Sequence, residues 1–325
     1  MKARIISTGY FLPERILTNK DLEKMVDTTD EWITKRTGIT ERRIASEEEA
    51  SSDMGTRASQ MAIENAGIKA NEIDAVICST ITPDHFFPST ACLIQHNLRI
   101  KDAYAFDLSA ACSGFLFALN TAESMLLSGK ADTVLVVAPE KLSSITDWKD
   151  RSTCVLFGDG AGAAILKKDE SGNGIQSTYL KSDGAFGDLL MVPAGGSRMP
   201  ASPETIEKRQ HYLKMKGNEI FKVAVKSMIK AAKHVIKDAA FKPEDIKALI
   251  PHQANMRIIN AIEKRLSLKD EQIFVNLDKT GNTSAASIAI SLGELESSGG
   301  LKEGDKVVLV SFGGGLTWAG IALTW

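Results

Sequence analysis

Cysteine is scarce in this chain, with four in 325 residues and none in a CxxC pair. That excludes a disulfide framework and offers no zinc or thioredoxin-type spacing. Net charge is near zero, −2 at neutral pH, so no global field draws the protein to nucleic acid or to a membrane surface. Long apolar runs are missing too. Val134–Ala138 is typical of the longest, and it falls far short of the ~20 residues of a membrane span. Met1–Pro13 carries neither an apolar h-region nor a small-residue cleavage site, which leads to the expectation of a cytoplasmic protein. There is no low-complexity tract.

What is present suits a soluble α/β chain with a sizeable core: 43% hydrophobic and 25% charged residues. Short apolar runs at Ala75–Ser79, Thr133–Ala138, Ala248–Ile250 and Lys306–Val310 read as buried strands alternating with helices. The chain also repeats itself. AGIKANEIDAVICST at 66–80 and AAFKPEDIKALIPHQ at 239–253 align without gaps with five identities in fifteen. In both halves a small-residue turn, a helix and a further strand follow. Two similar halves are therefore expected, with the site at their seam beyond the carboxyl ends of the strands. Residues 1–170 form the first half and 217–325 the second. The Gly- and Pro-rich stretch 171–216 is read as surface excursions near the site entrance.

Cys112 stands in DLSAACSGF, among small residues and just before a stretch that is apolar on nearly every side. A helix N-terminus there presents unpaired N–H groups and the positive end of the dipole, worth up to about 2 kcal/mol to a thiolate. The bland reading is a structural cysteine. Cys78, Cys92 and Cys154 lie in apolar strand or helix patterns and read as structural. Among five histidines, His252 is informative, because it ends the strand Ala248–Ile250 in PHQAN; a structural strand-end histidine is the alternative. Asn282, in GNTSAAS, holds the place in the second half that Cys112 holds in the first, and it also suits a turn asparagine. Gly313–Gly315 follows a strand and can expose backbone N–H groups to an oxyanion. Lys222, Lys226, Lys230, Lys233 and Lys237 share one helix face, and so do Arg257 and Lys264; each face is either simply solvated or a landing site for an acidic partner.

Together these segments resemble the 3-oxoacyl-[acyl-carrier-protein] synthase III family. The matching pieces are TTDEWITKRTGI at 28–39, DLSAACSGF at 107–115, DRSTCVLFGDGAGA at 150–163, MKGNEIFKVAV at 215–225, PHQANMRII at 251–259, KTGNTSAAS at 279–287 and FGGGLTW at 312–318. The resemblance implies an internally duplicated, thiolase-like α/β fold of two βαβαβ-type halves in a layered α-β-α-β-α core. It implies decarboxylative condensation of an acyl-CoA primer with malonyl-acyl carrier protein, giving 3-oxoacyl carrier protein, CO₂ and coenzyme A. The implied triad is Cys112, His252 and Asn282, with the amides of Cys112 and Gly314 as oxyanion hole. Trp32, Arg36 and Arg151 would hold the nucleotide end of coenzyme A, with Gly217 and Asn255 along the pantetheine arm. Phe87 would wall the acyl pocket across a homodimer. Arg257, Lys222, Lys264 and Arg265 would dock the carrier protein. Neither a metal nor another cofactor is expected.

A thiolase would need a second, late cysteine, and none follows Cys154. An elongating synthase would carry histidine at position 282. A polyketide- or quinolone-forming relative shares the triad and remains an alternative, as does a catalytically silent partner subunit, which would be expected to lack the nucleophile.

Overall fold

The computed structural model describes all residues 1–325. It contains two principal sheets. The first has five strands in the order Lys2–Phe11, Gly160–Asp169, Thr133–Glu140, Ala75–Ser79, Tyr104–Leu108. The first two pairings are antiparallel and the last two parallel. The second sheet runs Gly174–Ser182, Thr317–Thr324, Lys306–Gly313, Ile246–Pro251. Its pairings are antiparallel, antiparallel and parallel, and an isolated parallel bridge from Leu249 to Ile273 stands where the first sheet has its fifth strand. The two sheets therefore share one topology. The eight-residue strand Thr133–Glu140 is buried throughout, as an inner strand covered on both faces must be.

This equivalence corrects the sequence reading of residues 171–216. Gly174–Ser182 is no surface excursion but the edge strand of the second sheet, the counterpart of Lys2–Phe11. Its flanking glycines and serines mask it. Only the remainder of that stretch, with short elements at Leu190–Met191, Pro203–Glu207 and Lys214–Met215, lies outside the repeated unit. Cys154 is likewise misplaced by sequence: it closes the short helix Arg151–Cys154, capped by the Asp150 carboxylate, which accepts from Ser152 N.

Helices complete five layers. Ser51–Ala66 covers the outer face of the first sheet and Gly217–Asp238 that of the second. Gly114–Leu127 and Ala286–Ser297 lie between the sheets. Both central helices are buried on most sides, which is why their sequences lack a polar stripe. The packing there is tight. A Cβ on Gly162 would lie 2.4 Å from the Cβ of Ala289, so only glycine lets the central helix Ala286–Ser297 approach the sheet. The outer helix Gly217–Asp238 is amphipathic, and Lys222, Lys226, Lys230, Lys233 and Lys237 are all exposed on it. No helix is long and apolar enough to cross a membrane.

Phe115 follows the nucleophile turn and belongs to the core between the sheets, 1% exposed. Phe115→Ala should destabilise the protein by about 3–5 kcal/mol through lost burial and an unfilled cavity. Chemical denaturation, read with the unfolding slope held common to both proteins, checks this.

Candidate active site

The carboxyl ends of strands from both sheets converge on one cavity of about 460 Å³. Cys112, His252, Asn282 and Gly314 all line it, along with Ala110, Ser284 and Phe312. Its wall is mostly apolar, with Leu142, Phe157, Leu213 and Met228 among the contributors.

Each polar residue is held by its backbone. Cys112 sits in a single 3-10 turn, Ala111–Ser113, and the helix proper begins at Gly114. Ala111 takes a left-handed φ of 48°, unusual for a residue with a Cβ. The glycine loop presses on this turn: a Cβ on Gly313 would lie 2.6 Å from Cys112 N. Thr317 Oγ1 ties loop to turn by donating to the Ala110 carbonyl at 2.8 Å. His252 continues its strand by donating its N–H to the Val310 carbonyl at 2.7 Å. Asn282 N–H donates to Leu156 O at 2.8 Å, and Asn282 O accepts from Gly158 N at 3.1 Å. Its side-chain Oδ1 accepts from Ser284 N at 2.9 Å, which leaves the amide N–H₂ as the donor available to a ligand. Ser284 is the second left-handed residue beside the site, at φ 51°.

A second cavity of about 740 Å³ adjoins the first and shares Met215, Ile220, Ala254, Ile258 and Asn282 with it. Trp32, Arg36, Arg151, Gly217, Asn255, Arg257 and Lys222 line this outer cavity. The Arg36 and Arg151 guanidiniums lie 5.4 and 5.0 Å from the Trp32 ring centroid. Asn255 accepts from Arg257 N at 2.9 Å to cap its helix and donates to Arg36 O at 3.2 Å. Arg257 in turn lies over the Phe221 ring at 5.3 Å. Lys264 and Arg265 are exposed at the far end of the helix Met256–Leu266, outside both cavities. Phe87 is also outside them and is 86% exposed, so within one protomer it does not wall the acyl cavity.

Residues 106–184 match the family model for 3-oxoacyl-[acyl-carrier-protein] synthase III, and residues 236–325 match the model of its C-terminal part. The β-ketoacyl-[acyl-carrier-protein] synthase III of Caldanaerobacter subterraneus is 55% identical over 323 residues, 99% of this chain and 98% of that one. The chain belongs to the 3-oxoacyl-[acyl-carrier-protein] synthase III family. The crystal structure of the Aquifex aeolicus member superposes with a TM-score of 0.92 at 49% identity, covering 99% of this chain and 100% of that one. A priming β-ketosynthase from the R1128 polyketide pathway shares the fold at 37% identity and a TM-score of 0.92, over 99% of this chain and 96% of that one. The thiolase-like architecture follows from these superpositions, and as a synthase III family member the protein is an acyltransferase, a condensing enzyme.

Desolvation dominates the electrostatics of this synthase III site. Burial pushes the Cys112 thiol up to about 12 and the His252 imidazole down to about 4. His252 is therefore neutral at physiological pH. A third group escaped the sequence reading: Glu140, at the carboxyl end of the buried strand, whose carboxyl burial raises to about 7. Its Oε2 accepts from Thr80 Oγ1, Ile81 N and Thr82 Oγ1 at 3.1, 3.2 and 2.8 Å. A carboxylate closing an otherwise apolar eight-residue strand was the only signal in the sequence.

His252 and Glu140 pull stability in opposite directions with pH. The unfolded imidazole titrates near 6.5 and the folded one near 4, so stability falls as pH drops through that window. The folded Glu140 carboxyl titrates near 7 and the unfolded one near 4.5, so stability falls as pH rises through that window. Each contributes roughly 3 kcal/mol, and the two nearly cancel. Glu140→Gln should unmask the histidine and lose roughly 2–3 kcal/mol more than the parent between about pH 7 and about pH 4.5. Urea unfolding at both pH values measures this, and parallel curves for the two proteins would contradict it.

Proposed function

We propose that the protein condenses an acyl-CoA primer with malonyl-acyl carrier protein, releasing CO₂ and coenzyme A, as the initiating step of type II fatty acid synthesis. The observation that carries this reading is the shared lining of the two cavities. An arginine- and tryptophan-lined mouth leads through Met215, Ile220 and Ala254 to Cys112, which suits a nucleotide, a pantetheine arm and an acyl thioester in that order.

In this reading Trp32, Arg36 and Arg151 hold the nucleotide, while Gly217 and Asn255 flank the arm. Cys112 attacks the acyl thioester and retains the acyl group. Malonyl thioester then enters and loses CO₂, and the enolate oxygen takes hydrogen bonds from His252 and the Asn282 amide. Neutral donors suit this task, and burial keeps His252 neutral. The enolate carbon attacks acyl-Cys112, and the Cys112 and Gly314 amides receive the tetrahedral oxyanion. Decarboxylation itself supplies the nucleophilic carbon, so the chemistry calls for neither a metal nor a redox cofactor. The high identity to β-ketoacyl synthase III relatives favours fatty acid over polyketide priming.

The reading extends to assembly. Tyr104–Leu108 is a partly exposed sheet edge, and Phe86 and Phe87 protrude nearby in sequence at 86% exposure each. Both support a homodimer in which Phe87 completes the partner's acyl pocket. Lys222 and Arg257 at the mouth, with Lys264 and Arg265 further along the same helix as Arg257, offer an acidic carrier protein a basic surface. Catalysis of this kind belongs in the cytoplasm.

Three outcomes test the reading. Incubation with acyl-CoA should add one acyl mass to the protein, and Cys112→Ser should abolish the adduct. His252→Ala and Asn282→Ala should still acylate but lose malonyl decarboxylation by about 10²-fold or more. If the His252 variant takes no acyl group, the division of labour is wrong. Arg257→Glu should weaken use of malonyl-carrier protein at least about tenfold, the cost of a lost charge pair plus repulsion, while acylation by acyl-CoA stays near the parent rate. Unchanged kinetics in both half-reactions would remove Arg257 from the docking surface.

A further inference from the structure

The segment Leu190–Met215 is a strap closed on itself. Its ends pair, Leu190 with Met215 and Met191 with Lys214. Further along, Ala194 N–H donates to Gln210 O at 2.9 Å. The stretch between those two residues holds a single short helix, Pro203–Glu207. Regular structure therefore does little to fix the strap, yet the strap builds much of the Cys112 cavity. Met191, Val192, Leu213 and Met215 line that cavity, and the body of the protein adds Leu142 and Ile145 from one 3-10 turn. An acyl chain entering it meets apolar side chains from both segments.

Every hydrogen bond that leaves the strap ends on Ile145 or Asp147. Leu213 N–H donates to Ile145 O at 2.8 Å. Arg209 Nε donates to Asp147 Oδ1 and Oδ2 at 3.1 and 3.0 Å, and Arg209 Nη2 also donates to Oδ1. Lys214 Nζ lies 3.5 Å from Oδ2. Asp147 is itself fixed in the body, 4% exposed and accepting from Lys149 N at 3.1 Å. A forked guanidinium–carboxylate pair fixes geometry as well as distance. The Tyr212 ring lies 4.6 Å from the Arg209 guanidinium, and Arg209 holds a left-handed φ of 53°, uncommon for a residue with a Cβ. The bonds from Arg209 hold the Asp147 carboxyl down at about 2, so the pair stays charged at neutral pH.

We propose that Asp147 is a positioning residue for the primer: by clasping Arg209 and Lys214 it holds Leu213 against Ile145 and so limits the length of acyl chain that reaches Cys112. This role rests on the acyl-transfer reading above. Leu213 immediately precedes Lys214, and Ile145 stands two residues before Asp147. Clasp and cavity wall are thus neighbouring points on the same two segments. Releasing the clasp lets the wall recede, which costs a short primer its packing and gives a longer one room. One methylene in an apolar pocket is worth about 10–200-fold in discrimination, so a small retreat of Leu213 registers in the choice of primer. A carboxylate that served stability alone would affect all primers alike.

Asp147→Asn and Arg209→Gln test this role. The Arg209 side chain is 34% exposed, so its variant guards against an Asp147 variant that fails to fold. Second-order acylation rates with acetyl-, butyryl- and hexanoyl-CoA, read by intact mass after rapid quench, give the primer profile. In each variant the hexanoyl-to-acetyl ratio should rise at least about fivefold over the parent. The double variant should match the larger single within about twofold, because both changes break one interaction. Malonyl decarboxylation should stay within about threefold, since His252 and Asn282 are held by Val310, Leu156 and Gly158. An equal loss with all three primers would mean a structural role and overturn the clasp, as would a profile that is unchanged or tilts toward acetyl. A parent protein that takes up no acyl group from any of the three would overturn the acyl-transfer reading and the clasp with it.

Discussion

Desolvation of the Cys112 turn is the constraint on which the rest of the site depends. Cys112 is placed where the carboxyl ends of two sheets meet, between a glycine loop and a central helix, and water is largely excluded from it. The same exclusion that raises the thiol and the Glu140 carboxyl also lowers His252. One environment thus keeps a thiol protonated, raises a carboxyl and holds an imidazole neutral. None of the three needs a charged neighbour to reach that state.

The geometry that creates this burial is made of small residues. Gly162 admits Ala289, and Gly313 admits the Cys112 turn. At these contacts backbone meets helix with no side chain between, so the seam is rigid and its polar groups are set by main-chain bonds. Asn282 has both its N–H and its C=O bonded to the Leu156–Gly158 segment, and His252 is an extension of its strand. Arg42, fully buried beneath the same segment, donates to Val155 O at 2.7 Å and to Asn19 Oδ1 at 2.9 Å without a carboxylate partner. A guanidinium spent on carbonyl oxygens acts here as a strut rather than as a charge.

The legible part of this architecture is the part carried by local pattern. The strand at Ala75–Ser79 announces itself by an unbroken apolar run, and Cys112, His252, Asn282 and Gly314 stand at strand ends or turns in motif-like company. Gly174–Ser182 is hidden in the sequence because an edge strand pairs on one side only and its alternation is diluted by the glycine-rich flanks. Cys154 reads as a strand residue because apolar TCVLF looks the same whether it closes a helical turn or opens a strand. Glu140 carries no motif; its bonds to Thr80, Ile81 and Thr82, about sixty positions away, exist only once the sheet is folded. Phe87 illustrates the opposite limit: its implied role needs a second protomer, and one chain leaves it in solvent.

In the proposed chemistry the site meets a thiolate, an enolate and a tetrahedral oxyanion in sequence. Fixed cations would suit each of them but would also hold each one back from the next step. Neutral dipoles avoid that trap, since they lose little when the anion leaves. The unpartnered buried groups around the seam fit this view. His252 Nδ1, Ser284 Oγ, Ser311 Oγ and Glu140 Oε1 all lack a partner within the protein. Each such group costs about 1–3 kcal/mol. That cost is sustained by the apolar clusters on both faces of each sheet, so the layered core serves the site by stabilising a polar arrangement that would not hold itself together.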